Sequence, residues 1–393
     1  MKKIAVILIC FLTSQITKAQ DRVITTGVPF MLIAADARSA GMADQGVATS
    51  ADAFSQQYNP AKYAFALDKI GAAVSYTPYL TDLVNDISLG QVNFYNRFDE
   101  RMAFAASLRY FSLGEIELRQ NFEDIPTIVK PNELALDASY SLKLSDQFAM
   151  SVAGRYIRSN LRIQDGSNDS RAASSFAVDV AGFYQSEEIA FNEFNGRYRL
   201  GFNFQNLGPK ISYDKDLNDE NANFLPSNLK LGGGFDFILD EYNKVAVGVE
   251  FNKLLVPTPK SADLNGNGII DGEEETNLNT QYRDEYNRIG WTSGIFKSFG
   301  DAPDGFSEEL KEFTYSVAAE YSYQDSFAFR LGYFNENEFK GARKFFSLGA
   351  GFKYNVVKID VSYLFSASKV KNPLENTLRF SLSFAFGDKW DEY

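Results

Sequence analysis

Apolar and polar residues alternate along most of this chain. In Thr377 to Gly387, TLRFSLSFAFG, Leu378, Phe380, Leu382, Phe384 and Phe386 share one face, while Arg379, Ser381, Ser383 and Ala385 share the other. A period of two defines a β-strand with one apolar face. The same alternation marks fourteen segments, at roughly 69–77, 86–97, 102–112, 132–143, 147–158, 174–186, 197–206, 228–239, 244–253, 313–324, 326–334, 345–354, 357–366 and 377–387. Each is near the length of a tilted strand that spans a bilayer, about 9–11 residues.

The connections separate into two kinds. Those at 98–101, 144–146, 240–243, 325 and 355–356 are short. Those at 113–131, 159–173, 207–227, 335–344 and 367–376 are longer, 254–312 is very long, and 187–196 is intermediate. Short turns on one rim and long loops on the other predict an all-β transmembrane protein: a 14-stranded antiparallel outer-membrane β-barrel with long extracellular loops. An even strand number puts both termini on the short-turn, periplasmic side.

Alternation alone also allows a soluble barrel with its apolar face inward. The polar faces decide between the two. They carry Arg109, Asp137, Arg155, Asp179, Glu250, Glu320 and Arg330. A lumen can hold such charges, whereas a dry core would have to pair each one.

The organisation follows from these segments. Lys2 and Lys3, the apolar run Ile4 to Leu12 and Thr17-Lys18-Ala19 read as a signal peptide over 1–19. Residues 20–67 do not alternate, are rich in Ala and Gly, and are too apolar for a tail. They are expected to form an N-terminal hatch folded into the lumen; the alternative is a periplasmic cap helix. The barrel occupies 68–387, including extracellular loop 254–312. Residues 388–393, with Trp390 and Tyr393, form a periplasmic tail. In the hatch, Asp36, Arg38 and Asp44 are either a ligand site or, in the preferred reading, a plug held by lumen charges such as Glu250 or Arg330.

Composition removes several functions. The chain has no His, and its only Cys, Cys10, lies in the signal. No disulfide, Cys nucleophile, His base or Cys/His zinc site is then available to the mature chain, and it is not expected to be an enzyme. The signal carries three lysines and no acid, so its removal takes the net charge from −12 to −15. That charge argues against nucleic acid and leaves the lipid bilayer as the expected environment.

One local motif points to a ligand. DLNGNGIIDGEE, Asp263 to Glu274, matches a twelve-residue calcium loop. Asp263, Asn265 and Asn267 take positions 1, 3 and 5, and Gly268 the turn. Ile269 offers its carbonyl, Asp271 takes position 9, and Glu274 is the bidentate acid at 12. Such a calcium ion would be a structural staple for a long external loop; long flanking helices are not expected. Gly232-Gly233-Gly234 and Gly349-Ala350-Gly351 fall mid-strand, so they read as small residues facing a packed lumen and not as phosphate loops. Trp291, Phe296, Phe299 and Phe306 either form an external docking patch or pack the long loop on itself.

The hatch string DARSAGMADQGVATSADA (36–53) followed by Asn59-Pro60-Ala61 resembles the hatch of the FadL-type barrels. The longer string GVPFMLIAADARSAGM (27–42), NPAKYAF (59–65) and the block WTSGIFKSFGDAPDGFSEEL (291–310) resemble the PorV (LptO) family of the Bacteroidetes type IX secretion system. That resemblance spans essentially the whole mature chain. It implies a barrel without chemistry of its own that binds the C-terminal signal domain of exported cargo at an SprA-type translocon. It further implies delivery of cargo to a PorU-type sortase. The FadL relation alone implies instead a channel for hydrophobic small molecules. An outer-membrane lipid hydrolase is a third reading, and it lacks the His for a Ser-His pair.

Overall fold

The computed structural model describes residues 23–390 apart from 82–83, 120–122, 124, 162–171, 214–221, 304 and 369–371. The expected signal peptide and Tyr393 therefore lie outside the described residues. Fourteen long strands form one closed antiparallel sheet. They are β1 (Asp68–Pro78), β2 (Ile87–Arg97), β3 (Met102–Leu113), β4 (Asn132–Lys143), β5 (Phe148–Asn160), β6 (Ala173–Gln185) and β7 (Asn195–Leu207). They continue as β8 (Asn228–Ile238), β9 (Asn243–Leu254), β10 (Phe313–Tyr323), β11 (Phe327–Asn335), β12 (Lys344–Tyr354), β13 (Val357–Ser366) and β14 (Leu378–Lys389). Each pairs with its sequence neighbours. Closure is made by β1 on β14, with Ala72 opposite Phe384, Val74 opposite Leu382 and Tyr76 opposite Phe380. Closure leaves no unpaired edge along the wall, a requirement for strands in hydrocarbon.

The two faces of the wall settle its surroundings. On β1, Val74 and Tyr76 are exposed while Ala73, Ser75 and Thr77 are buried. On β3, Phe104, Leu108 and Tyr110 point out, and Ala105, Ser107 and Arg109 point in. Large apolar side chains thus face outward all round, and small or polar ones face inward. That is the reverse of a soluble barrel and the pattern of a membrane wall.

Connections at 98–101, 144–147, 186–194, 239–242, 324–326 and 355–356 lie on one rim, where β1 starts and β14 ends. The described N-terminal end lies toward the other rim, Gly27 donating its N–H to Phe224 O in the long connection after β7 at 2.8 Å. The tightest connection, 355–356, is a two-residue hairpin between paired Tyr354 and Val357, with Asn355 in left-handed geometry at φ 53°. The other rim carries the long connections. One holds a small hairpin, Ile116–Leu118 with Thr127–Val129. The longest, 255–312, contains three helices that strand alternation does not reveal: α3 (Gly272–Asn287), α4 (Trp291–Lys297) and α5 (Phe306–Lys311). At the opposite rim Trp390 donates its backbone N–H to Leu67 at 2.8 Å, and its ring lies under Arg97. β14 runs to Lys389, two residues beyond the alternating pattern.

Candidate functional site

The lumen holds residues 27–66, most of them buried. The segment contains two short α-helices, α1 (Ala37–Gly41) and α2 (Ser55–Tyr58), and 3-10 turns at Pro29–Leu32 and Pro60–Phe65. This is the expected hatch, and not a cap at the rim. Asp36 caps the first helix, its carboxylate accepting from Ser39 N at 2.8 Å and from the Tyr58 hydroxyl at 2.7 Å. Burial, with Asp52 adding repulsion, raises the Asp36 pKa above the ordinary carboxylate value.

Arg38 is the hatch's main electrostatic tie. It donates to Glu320 on β10 through Nη2 at 2.9 Å and Nε at 3.2 Å, and to Asp52 at 2.6 Å. Glu320 also receives Arg330, which pairs with Asp360 at 2.8 Å. Of the lumen charges expected to hold Asp36, Arg38 and Asp44, neither Glu250 nor Arg330 pairs with any of the three; the wall partner of Arg38 is Glu320. Arg330 bears the same charge sign and shares the same carboxylate. Glu250 instead accepts the backbone N–H groups of Gly46 and Val47 at 2.8 and 3.0 Å. Asp44 faces Arg379 at 3.4 Å.

Asn59, Pro60 and Ala61 form the second tie. The Asn59 side-chain amide donates to Val47 O in the hatch and to Gly182 O in the wall, both at 2.9 Å. Its oxygen accepts Ala61 N at 3.1 Å, and Pro60 O accepts the Ser141 hydroxyl at 2.7 Å. Arg109 grips the first turn by donating to the carbonyls of Phe30, Met31 and Ile33. Buried Lys62 donates to Gly46 O at 2.7 Å; burial pulls its pKa down to about 8, against the attraction of Asp52. At Gly41 the hatch meets the wall backbone to backbone: a Cβ there would lie 2.9 Å from the Gly349 Cα. Gly349 thus serves plug packing, whereas Gly351 makes room for the Arg330 and Asp360 side chains of the wall. Below Arg38 a lumenal cavity of about 400 Å³ is lined by charges, among them Asp52, Arg199, Asp236, Arg330 and Lys358.

The other candidate surface is loop 255–312. Its base is clamped to the barrel by a buried charge cluster. Lys253 donates to Glu309 at 3.1 Å and to Glu312, and Lys340 to Glu308 at 2.8 Å and Glu312 at 3.1 Å. Asp301 accepts Thr258 N at 3.1 Å. Half-burial pushes the Asp301 carboxyl up to about 6, and neighbouring Glu312 and Glu309 push the same way. The Tyr286 ring meets Phe224 edge-on, with centroids 5.5 Å apart. On this braced base, Phe296 is 79% exposed, Phe306 77% and Phe299 49%, with Leu310 beside them, whereas Trp291 is partly buried. Sequence pattern alone left Leu310 unmarked; its place on α5, four residues after Phe306, identifies it.

The calcium motif lies in the same loop. Asp263 accepts the N–H groups of Gly266, Asn267 and Gly268, and these bonds hold its carboxylate below the usual range. Asn265 and Asn267 cap the next turns. The donors are all oxygens, which suits calcium. Glu274 is exposed, and its neighbour Glu275 folds back onto Leu264 N and Asp271 N. Among the described residues, no group of three or more acids is gathered as a metal cluster. Contrary to expectation a long helix, α3, leaves the loop directly at Gly272.

A closed 14-stranded barrel with apolar residues outside and a plugged lumen is an outer-membrane β-barrel protein. The model of the type IX secretion system protein PorV family matches residues 16–261, and the chain belongs to that family. It is thus an outer-membrane component of the type IX secretion system, a family that is not one of enzymes. No curated protein sequence matches the chain. Among solved structures it is similar to the CymD monoaromatic hydrocarbon channel (11% identity, TM-score 0.49, covering 92% of this chain and 99% of that one). It is also similar to the P. putida toluene transporter TodX (10%, 0.48, 89% and 98%) and a Pseudomonas aeruginosa FadL homologue (13%, 0.42, 93% and 99%).

Proposed function

We propose that this barrel captures exported cargo by its C-terminal signal domain as cargo leaves an SprA-type translocon, and passes it to a PorU-type sortase. The end of β14 is then periplasmic and loop 255–312 is outside. The observation that carries the reading is the exposure of Phe296, Phe299, Phe306 and Leu310 on one loop whose base is locked by buried ion pairs. Exposed aromatics on a rigid base are what a docking surface needs, because little order is lost on binding. A calcium ion on the Asp263 loop would add a staple to the same platform. The alternative, a channel for hydrophobic small molecules, has less support: the lumen holds a plug tied by charge, above a charged cavity.

A photo-crosslinking amino acid at Phe296 or Phe306 in living cells tests this. The reading expects adducts with cargo signal domains. Adducts absent from both positions, with the protein present and folded, contradict it.

A further inference from the structure

The outward face of β6 to β9 carries a dent of about 530 Å³. Register explains it. On the lipid side Phe202 pairs with Gly182 and Leu231, and Leu200 pairs with Tyr184 and Gly233. Leu231 then meets Phe251, and Gly233 meets Val249. Two of these outward positions are therefore glycine, surrounded by large apolar side chains. At Gly182 the gap is covered: a Cβ would lie 2.3 Å from the Phe202 ring. At Gly233 it is open, the nearest atom to a Cβ being Leu200 Cδ2 at 3.5 Å. On the inner side of the same sheet, Gly232 meets the hatch at Val47. The dent thus lies one backbone thickness from the plug.

This face is bathed in hydrocarbon, which limits the occupant. Water would find almost no polar partner, and it needs two to four. A void would forfeit the dispersion contacts of its lining. A flexible acyl chain fills such a shape without requiring a matching rigid surface. One end of the dent reaches Phe148 and Tyr184. There the Tyr184 hydroxyl donates to Gln147 on the short-turn rim at 2.6 Å. An amphipathic ring at that level marks a membrane–water interface.

We propose that the dent is a binding groove for one acyl chain of a periplasmic-leaflet phospholipid. This rests on the orientation proposed above, but not on cargo capture. The test is native mass spectrometry of the full barrel taken from outer membranes into mild detergent, counting retained phosphatidylethanolamine. Wild type is expected to retain it, and Gly233→Phe to retain at least tenfold less. Val92→Phe, which enlarges an exposed outward residue of β2 away from the groove, is expected to match wild type. Heat-shifted gel mobility reports folding, and Val249→Trp fills the groove from its other wall should Gly233→Phe fail to fold. Equal retention in wild type and a folded filled variant overturns the proposal, as does retention of lipopolysaccharide in place of phospholipid. A unique thiol at Val249→Cys that crosslinks in native membranes to a protein, with no phospholipid retained, overturns it in favour of a partner barrel. Cargo crosslinking at Phe296 is measured separately, so either reading can fail alone.

Discussion

Arg38 in the hatch and Glu320 in strand β10, 282 residues apart, meet in a two-pronged ion pair at 2.9 and 3.2 Å inside the barrel. Both are buried, and Glu320 is shared with Arg330. The pair joins the plug to the wall, so whether the lumen stays shut depends on it.

Glu320→Ala should loosen the plug. Stranding a buried charge costs about 3–5 kcal/mol; here Asp52 still faces Arg38 and Asp360 still faces Arg330, so the loss should fall below that range. Hydrogen exchange over residues 36–53 should speed up, and purified protein in planar bilayers should pass more ions than wild type. Unchanged exchange and conductance would show that the pair does not hold the hatch.

Gly201→Ala should displace the hatch turn. A Cβ at Gly201 would lie 2.2 Å from the Val47 carbonyl oxygen, whereas one at Gly154 meets nothing within 4 Å. Overpacking of this kind costs about 1–3 kcal/mol. Urea unfolding in micelles should therefore separate Gly201→Ala from an unaffected Gly154→Ala.

The wall was readable from sequence because each strand meets lipid on one side and lumen on the other, so the alternation is printed in residues such as Phe380 and Ser381. The hatch was readable as the stretch that does not alternate. Its contacts were not. Which wall carboxylate Arg38 reaches depends on how the closed barrel places β10 beside the plug, and nothing near Arg38 encodes that. Asp52, the second partner of Arg38, carries no local signal either. Helix α3 is hard to read because its apolar stripe is only one residue wide, Leu278, Tyr282 and Tyr286, in an otherwise polar run. Its start at Gly272 also explains why Glu275, and not Glu274, turns back onto the loop.

Calcium removal should open loop 255–312. A chelator would leave the Asp263 to Glu274 oxygens without their cation, and limited proteolysis should cut there faster. A Glu274→Gln variant should cut at the chelated rate even with calcium present. Equal cleavage of wild type with and without calcium would remove the staple from the account.

The base of that loop should respond to acid through Asp301. Its pKa in the folded protein is raised from 3.8 to about 6, so its protonated form is the favoured one. Its contribution to stability is full below about pH 4 and is lost as pH rises through about 6. Asp301→Asn can keep the acceptor for Thr258 N without the charge. At pH 7 that variant should resist proteolysis of the loop at least as well as wild type, and the pH 4–7 dependence should flatten. A steeper dependence would reverse the sign of the argument.

The central claim is that this barrel serves secretion of cargo. The most direct measurement is the fate of cargo in a deletion strain, read by immunoblot of periplasm, cell surface and medium, alongside uptake of a labelled fatty acid. The account predicts cargo retained in transit or left unanchored with its C-terminal signal uncleaved, and normal fatty-acid uptake. Cargo secreted and anchored as in the parent strain, with fatty-acid uptake lost, would contradict it and make the protein a solute channel.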